Sequence, residues 1–279
     1  MKIAIVGLGL IGGSLAKSIK KNTQHSCFGL DINKVSVAGA LEQEAIDAEI
    51  SVDKLASCDI VVVSLHPQPT IDFILQNKQN FKKGGIVIDT CGVKGSIVDA
   101  VEEELQKEGV NFLGCHPMAG REFSGFAYSV DNLFDKASFI MTPTEKTSAD
   151  TIKEISQLAY SIGFAKCVIS NTEEHDRVIA FTSQLAHIVS SSYVKSPSLL
   201  KQAGFSAGSF KDMTRVAKLN EDMWTSLFLM NREPLISEID HIIEHLSEYR
   251  KAIAENDAKY LHDLLREGRE LKELSNNMT

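Results

Sequence analysis

The chain has 279 residues and a formal net charge of −8, and 43% of its residues are hydrophobic and 24% charged. This composition is typical of a globular protein with room for two domains and argues against a disordered chain. The acidic balance argues against a nucleic-acid partner, and no apolar run is long enough to cross a membrane.

The cysteines are odd in number, scattered along the chain and without metal-ligand spacing, so we expect no metal site. Their apolar neighbours predict mostly buried thiols in a reducing compartment, and we expect a cytoplasmic protein. The apolar stretch that follows Lys2 resembles a short signal peptide, but its glycines fit a different role.

The N-terminal segment has the pattern of a dinucleotide-binding unit. Lys2–Val6 is apolar and rich in β-branched residues, which predicts a buried parallel strand, and a G-x-G-x-x-G sequence and a helical segment follow directly. In this pattern Gly7 permits the tight turn, Gly9 lets the backbone approach a pyrophosphate, and Gly12 allows close helix–strand packing. The phosphates are expected at the helix N-terminus, where free N–H groups favour an anion.

A second predicted strand, Ser26–Leu30, ends in Asp31, about 20 residues beyond the glycines, where an acid accepts hydrogen bonds from an adenosine ribose. Its negative charge would repel a 2′-phosphate, so we expect NAD rather than NADP. Further contacts are expected where the next strands end, beside small residues that let a nicotinamide approach the backbone. The expected coenzyme-binding residues are Gly7, Gly9, Leu10, Ile11, Gly12, Asp31, Ser64, Leu65 and Thr90.

The alternation of strands and helices continues to about residue 170, which predicts right-handed crossovers and a parallel sheet. We therefore expect an α/β Rossmann-type nucleotide-binding domain over residues 1–170 and an all-α dimerisation domain over residues 171–279. The later strands are expected at Asp59–Ser64, Gly85–Ile88, Val110–Leu113, Ser138–Met141 and Phe164–Ile169. Helices are expected at 69–80, 94–108, 149–162, 174–194, about 221–254 with a possible break near Pro234, and 257–274. A small helical bundle buries its apolar faces poorly alone, so we expect a homodimer through the C-terminal helices.

The segment Gly114–Gly125 follows a predicted strand and is expected to be a loop that carries chemistry. It contains His116, and histidine is the side chain best suited to move a proton near neutral pH. A lone histidine is more often structural, so the assignment depends on the rest of the chain. Lys94, at the start of a predicted helix, could meet an anion, although a solvated lysine is the commoner case.

Three blocks of sequence together resemble the prephenate/arogenate dehydrogenase family of tyrosine biosynthesis. They are Gly7–Ser14, His116–Gly120 with Glu122, Ser124 and Gly125, and Phe210–Arg215 followed by Trp224. The resemblance covers essentially the whole chain. It implies an N-terminal nucleotide-binding domain, a helical domain that dimerises, and oxidative decarboxylation of a cyclohexadienol with hydride transfer to a nicotinamide cofactor.

The resemblance also implies roles for individual residues. His116 corresponds to the catalytic histidine that accepts a hydrogen bond from the ring hydroxyl, and Arg215 to the arginine that binds the ring carboxylate. His187 matches a helix histidine near the substrate side chain, and Trp224 matches a pocket residue. Many members carry a serine where Gly92 stands, so Thr90, a water or the main chain is expected to orient His116 here.

Prephenate is the expected substrate, and arogenate, which carries an ammonium in place of a keto group, stays open. Arg121 is expected to supply a second cation for the side-chain carboxylate, and with His187 it suits the keto acid. Glu122 or Asp212 would suit the ammonium.

Two other classes of function remain as alternatives. A β-hydroxyacid or imine reductase typically places a catalytic lysine or acid on the interdomain helix, where this chain offers His187. A catalytically silent NAD-binding regulator needs neither His116 nor Arg215, so their joint presence counts against it.

Overall fold

The computed structural model describes residues 1–121 and 123–277, and these form two compact units, Met1–Asn231 and Arg232–Thr279. Glu122, predicted to bind substrate, lies outside the described residues. No helix in the described ranges is both long enough and apolar enough to cross a bilayer.

Within the described residues, the first unit is built on an eight-stranded sheet in the order β3-β2-β1-β4-β5-β6-β7-β8. The strands are β1 Lys2–Val6, β2 Ser26–Leu30, β3 Ala48–Glu49, β4 Ile60–Val63, β5 Ile86–Asp89, β6 Asn111–Pro117, β7 Ser138–Thr142 and β8 Lys166–Ile169. The helices between them are α1 Leu10–Asn22, α2 Lys34–Glu42, α3 Pro67–Asn77, α4 Gly95–Lys107 and α5 Ala149–Ser161. The sequence therefore predicted the order of these elements correctly apart from the short strand β3, which it did not anticipate, with ends shifted by a few residues.

Alternating side chains of the strands feed two apolar clusters, one on each face of the sheet. Ile3 and Ile5 of β1 belong to the cluster that includes residues of α1, α2 and α5. Ala4 and Val6 belong to the other, which includes residues of α3 and α4. The near-continuous apolar runs of the central strands follow from burial on both faces.

The expectation of a wholly parallel sheet was wrong at one place, because β6 and β7 pair antiparallel. A parallel return needs a crossover, usually through a helix. The connection between these two strands contains only a short 3₁₀ turn, Phe126–Tyr128, among its described residues. The chain therefore reverses direction, and β8 then pairs parallel to β7.

The expectation that His116 lies in a loop was also wrong. After its last pairing with β5 at Leu113, β6 continues to Pro117 by pairing with β7, and His116 lies opposite Ile140. Gly114 and Pro117 suggested a loop in the sequence. The antiparallel partner, more than twenty residues further along the chain, keeps this segment extended.

Beyond the sheet, a continuous helical path runs through α6 (Thr172–Ile179), a π-helical segment (Ala180–Leu185) and α7 (Ala186–Tyr193). Asn171 caps α6, since its side chain accepts a hydrogen bond from the Glu174 N–H at 2.8 Å. Two shorter helices, α8 (Gly208–Thr214) and α9 (Glu221–Met230), complete the first unit.

The second unit is a pair of helices, α10 (Arg232–Ala254) and α11 (Ala258–Asn276). The expected break near Pro234 falls just before it, at Asn231, so that proline occupies the first turn of α10, where its missing N–H costs nothing. Asp257 caps α11 by accepting a hydrogen bond from the Tyr260 N–H at 2.9 Å.

Candidate active site

The glycine turn between β1 and α1 is closely packed on one side and open on the other. Gly7 has a φ of +91°, and a Cβ on Gly12 would lie 1.9 Å from the Gly7 carbonyl oxygen, so neither position accepts a side chain. A Cβ on Gly9, by contrast, would meet nothing within 4 Å. Gly9 is the N-cap of α1 and carries no capping side chain, so the start of the helix faces this open space with its N–H groups.

Asp31 lies beside this turn at the end of β2. Its carboxylate accepts hydrogen bonds from the Leu8 N–H at 2.6 Å and from the Asn33 N–H at 2.7 Å. The next two strand ends are joined in the same region, where the Thr90 hydroxyl donates to Ser64 Oγ at 3.2 Å. The predicted coenzyme-binding residues therefore come together at the carboxyl edge of β1, β2, β4 and β5, which we call the coenzyme cradle. This is the edge where parallel α/β sheets bind their ligands.

His116 is the first member of a buried chain of hydrogen bonds. Its Nδ1 lies 3.0 Å from Nε2 of His175, and Nδ1 of His175 lies 2.7 Å from Oδ1 of Asp176. The Asp176 carboxylate also accepts hydrogen bonds from the main-chain N–H groups of Lys94 and Gly95, each at 2.8 Å. We call His116, His175 and Asp176 the histidine chain.

The acceptor at the end of the histidine chain determines where the protons lie. An ionised Asp176 can only accept, so Nδ1 of His175 carries a hydrogen and Nε2 of His175 is left as an acceptor. Nδ1 of His116 must then donate to it. A neutral His116 therefore presents the lone pair of its Nε2 on the opposite side of the ring.

The surroundings of His116 keep its imidazole neutral. Burial is the largest cause that holds the pKa of His116 well below its ordinary value, and the nearby His175 and the Lys94 charge lower this pKa further. A neutral imidazole is the form that can accept a proton.

The free side of the His116 ring faces the coenzyme cradle. A Cβ on Gly92, which follows β5, would lie 3.8 Å from Nε2 of His116 and 3.6 Å from a methyl group of Leu227 on α9. A serine side chain at this position would therefore reach the ring. In this chain Thr90 donates to Ser64 and the partner of His116 is His175, so the expected orienting role of Thr90 is replaced by the histidine chain.

Helices α7 and α9 bring a second predicted group together. The rings of His187 and Trp224 have centroids 4.0 Å apart. Nδ1 of His187 donates to the Ser183 carbonyl oxygen at 2.8 Å, which leaves Nε2 as the other polar atom of the ring. Burial lowers the pKa of His187 against the effect of this hydrogen bond, and the charge of Arg215 lowers it further. Arg215, which follows α8 and is exposed, is therefore an electrostatic neighbour of this ring.

The structure places Arg121 in the loop that follows β6. Its Nη1 donates to the Tyr128 carbonyl oxygen at 3.2 Å, and the side chain is exposed. Tyr128 in turn stacks on Phe123, with ring centroids 4.8 Å apart. Arg121 is thus held by its own loop.

Sequence reasoning missed His175 and Asp176, although both lie in the predicted helix-start region. The available signal was a histidine and an aspartate side by side in the first turns of the helix that follows the last strand. Of the two interpretations that the sequence left open for Lys94, the commoner one, a solvated lysine, was wrong. Lys94 is fully buried and forms an ion pair with Asp89, which is buried as well.

These features define a dehydrogenase with a Rossmann-type nucleotide-binding domain: the coenzyme cradle, the parallel strands around it, and a neutral histidine that faces the cradle. The profile described as "Prephenate dehydrogenase, nucleotide-binding domain" matches residues 15–168, and "Prephenate dehydrogenase, dimerization domain" matches residues 171–267. The chain belongs to the prephenate dehydrogenase family.

Individual relatives agree with this assignment along nearly the whole chain. A prephenate dehydrogenase of Lactococcus lactis is 30% identical over 98% of this chain and 77% of its own length. A cyclohexadienyl dehydrogenase of Zymomonas mobilis is 29% identical over 97% of this chain and 94% of its own length. The crystal structure of a prephenate dehydrogenase from Aquifex aeolicus, determined with hydroxyphenyl propionate and NAD⁺, is 31% identical, with a TM-score of 0.88 over 99% of this chain and 98% of that chain.

Proposed function

We propose that this chain oxidatively decarboxylates prephenate to 4-hydroxyphenylpyruvate, with NAD⁺ as the hydride acceptor. The observation that carries the proposal is the buried histidine chain, which directs an acceptor nitrogen of His116 at the coenzyme cradle. The similarity to proteins named prephenate dehydrogenase, at about 30% identity over most of the chain, supports the choice of substrate.

The cradle fits a dinucleotide. The open space above Gly9 and the uncapped start of α1 suit a pyrophosphate, because side-chain atoms are absent there and main-chain N–H groups favour an anion. Asp31 offers carboxylate oxygens to a ribose diol, and its charge disfavours a 2′-phosphate, which supports NAD over NADP. When bound, NAD⁺ supplies the site for the hydride that leaves C4 of the substrate ring.

The role of His116 follows from the tautomer that its partners select. Oxidation at C4 releases the proton of the ring hydroxyl, and Nε2 of His116 accepts it while Nδ1 stays bonded to His175. His175 and Asp176 then stabilise the resulting imidazolium through the same hydrogen bonds. The ring carboxylate then leaves as CO₂, its bonding electrons complete the aromatic ring, and the oxygen at C4 takes back the proton from Nε2 of His116 to give the phenol.

Arg215, His187 and Trp224 are proposed to hold the substrate. A guanidinium binds a carboxylate through two parallel hydrogen bonds, so Arg215 can fix the ring carboxylate and thereby aim C4 at the coenzyme. The stacked pair of His187 and Trp224 supplies an apolar wall with one polar atom for the substrate side chain. Arg121 is proposed as a second cation for the side-chain carboxylate, and Glu122 remains a proposed substrate contact.

We also propose a homodimer through the C-terminal helices, with a domain boundary between residues 170 and 171. On α10, exposed apolar side chains recur at 7-, 3- and 7-residue intervals, which is the spacing of a helix–helix seam. They are Ile236, Ile243, Leu246 and Ile253. The cysteines are free thiols, four of them buried, which supports a reducing compartment such as the cytoplasm.

The test is NADH absorbance with purified protein and each combination of prephenate or arogenate with NAD or NADP. We expect turnover with prephenate and NAD. His116→Asn should lower kcat by about 10²–10⁴-fold, the usual contribution of a general base. His25→Asn, at the opposite edge of the sheet, is the matched control and should retain full activity.

Turnover with arogenate alone would keep the mechanism and overturn the choice of substrate. If no combination of substrate and coenzyme gave turnover, the proposed function would be overturned. That result would favour a catalytically inactive NAD-binding protein or a reductase for other substrates.

A further inference from the structure

The ion pair between Asp89 and Lys94 is the most deeply buried charged group of the first unit that the mechanism above leaves unused. Both side chains have 0% exposed surface. A buried ion pair loses the hydration of both charges, and replacing such a pair by apolar residues is often neutral or stabilising. Stability alone is therefore a weak reason for this pair to be here.

The pair lies where the sheet changes from parallel to antiparallel pairing. The main-chain register between β5 and β6 ends at Ile88 and Leu113. Two residues further along β6, Oδ1 of Asp89 accepts a hydrogen bond from the Cys115 N–H at 3.2 Å, and Nζ of Lys94 donates to the Cys115 carbonyl oxygen at 2.7 Å. One carboxylate and one ammonium thus take the place of the main chain of a neighbouring strand.

The backbone that these two side chains hold is the residue directly before His116. Their fit against β6 is close, since a Cβ on Gly114 would lie 3.4 Å from the side chain of Lys94 and 2.6 Å from that of Thr142. The main-chain N–H of Lys94 also donates to Asp176 at 2.8 Å. Lys94 therefore supports the histidine chain at two points. Its ammonium holds the backbone next to His116, and its own main-chain N–H holds Asp176.

We propose that Asp89 and Lys94 are positioning residues for His116. By continuing the sheet past its last main-chain bond, they hold Nε2 of His116 in place beside the coenzyme cradle, and the ammonium helps to keep the imidazole neutral. The inference rests on the proposed function for its catalytic consequence, while the placement and charge state of His116 can be tested without any substrate.

The charges around His116 determine the sign of the effect. Lys94 acts on it from the N-cap of α4 and is paired with Asp89 at the end of β5. His175 and Asp176 lie on α6, while β7 and α9 contribute the apolar Ile140 and Leu227. Two thiols also lie nearby, and burial raises the pKa of Cys115 well above its ordinary value and that of Cys91 to about 12, so both stay neutral. Removing the ammonium while the Asp89 carboxylate remains should therefore raise the pKa of His116.

The experiment compares Lys94→Met, Lys94→Arg and the double variant Asp89→Asn/Lys94→Met by steady-state kinetics over a range of pH. Lys94→Met should lower kcat by roughly 10²-fold, the usual cost of misplacing a catalytic group, and should move the acid limb of kcat/KM to higher pH. KM for NAD should stay unchanged. Lys94→Arg keeps the cation, so its acid limb should stay in place. In the double variant, which has neither charge, the acid limb should return to its wild-type pH, whereas kcat should stay as low as in Lys94→Met.

The matched control is Leu105→Ala, near the C-terminal end of α4, where the fully buried leucine side chain belongs to the apolar cluster on that face of the sheet. It should lower Tm without changing the pH profile. If Lys94→Met lowers Tm as this control does and leaves kcat and the acid limb at wild-type values, the pair is only structural and the proposal is overturned.

A measurement without substrate separates this proposal from the proposed function. The ring signals of His116, assigned by NMR through their loss in His116→Asn, should titrate at higher pH in Lys94→Met than in the wild type. An identical titration in both proteins would overturn the positioning role, whether or not the wild-type enzyme oxidises prephenate. A wild-type protein that is inactive with both substrates would overturn the proposed function alone.

Discussion

Replacing His175 by phenylalanine tests the histidine chain most directly. The substitution keeps a planar ring in a buried site but removes the nitrogen that lies 3.0 Å from Nδ1 of His116. The productive tautomer of His116 then has a buried N–H without its acceptor, and an unpaired buried donor costs about 1–3 kcal/mol. Since about 1.4 kcal/mol corresponds to a tenfold change in rate, kcat should fall roughly 5- to 160-fold.

The assay is initial-rate NADH formation at saturating coenzyme and substrate, well below the Tm of each variant. KM for NAD should not change, because His175 lies outside the coenzyme cradle. His175→Gln is the rescue variant, since its amide oxygen can reach the position of Nε2 and accept from His116, and it should recover most of kcat. Wild-type kcat in His175→Phe, or equal losses in the two variants, would refute the tautomer argument.

Further predictions concern the cradle, the dimer and acid stability. Gly12→Ala should lower both Tm and NADH affinity because its Cβ meets a carbonyl oxygen at 1.9 Å, whereas Gly9→Ala should lower only the affinity, measured by fluorescence titration. Ile243→Glu, on the exposed face of α10, should halve the molar mass in light scattering. Because burial lowers the pKa of His116 below the ordinary 6.5, unfolding takes up a proton as pH falls below that value. This contribution lowers the free energy of unfolding by up to about 1.4 kcal/mol per pH unit, and His116→Asn should reduce the slope by that amount in urea titrations.

The coenzyme cradle could be predicted from the sequence because its determinants are local. A strand, three glycines and a helix follow one another within residues 2–22, and the next strand places Asp31 alongside. Each requirement is steric or electrostatic at one position, so residue type and spacing are sufficient. The order of the elements, apart from the two-residue strand β3, could be predicted for the same reason, from periodicity within each segment.

The support of His116 could not be predicted, because it joins segments far apart in the chain. The strand that contains His116 is kept extended by β7, and its imidazole is oriented by a residue 59 positions further along. The burial of Lys94 depends on Asp89 and on the backbone of Cys115, which meet only when the sheet is assembled. The residue pattern within a single segment carries no information about contacts between segments that are distant in the sequence.

The Asp176 carboxylate restricts how the sheet and α6 can move relative to each other, because it accepts hydrogen bonds from the start of α4 and from His175 at the same time. Three of the hydrogen bonds described above, from Lys94 N, from Gly95 N and between the two histidines, join the sheet to α6 across the proposed domain boundary at residues 170–171. A hinge at that junction would break all of them together. The sheet and α6 should therefore move as one rigid body, and any opening that admits substrate has to come from segments later in the chain.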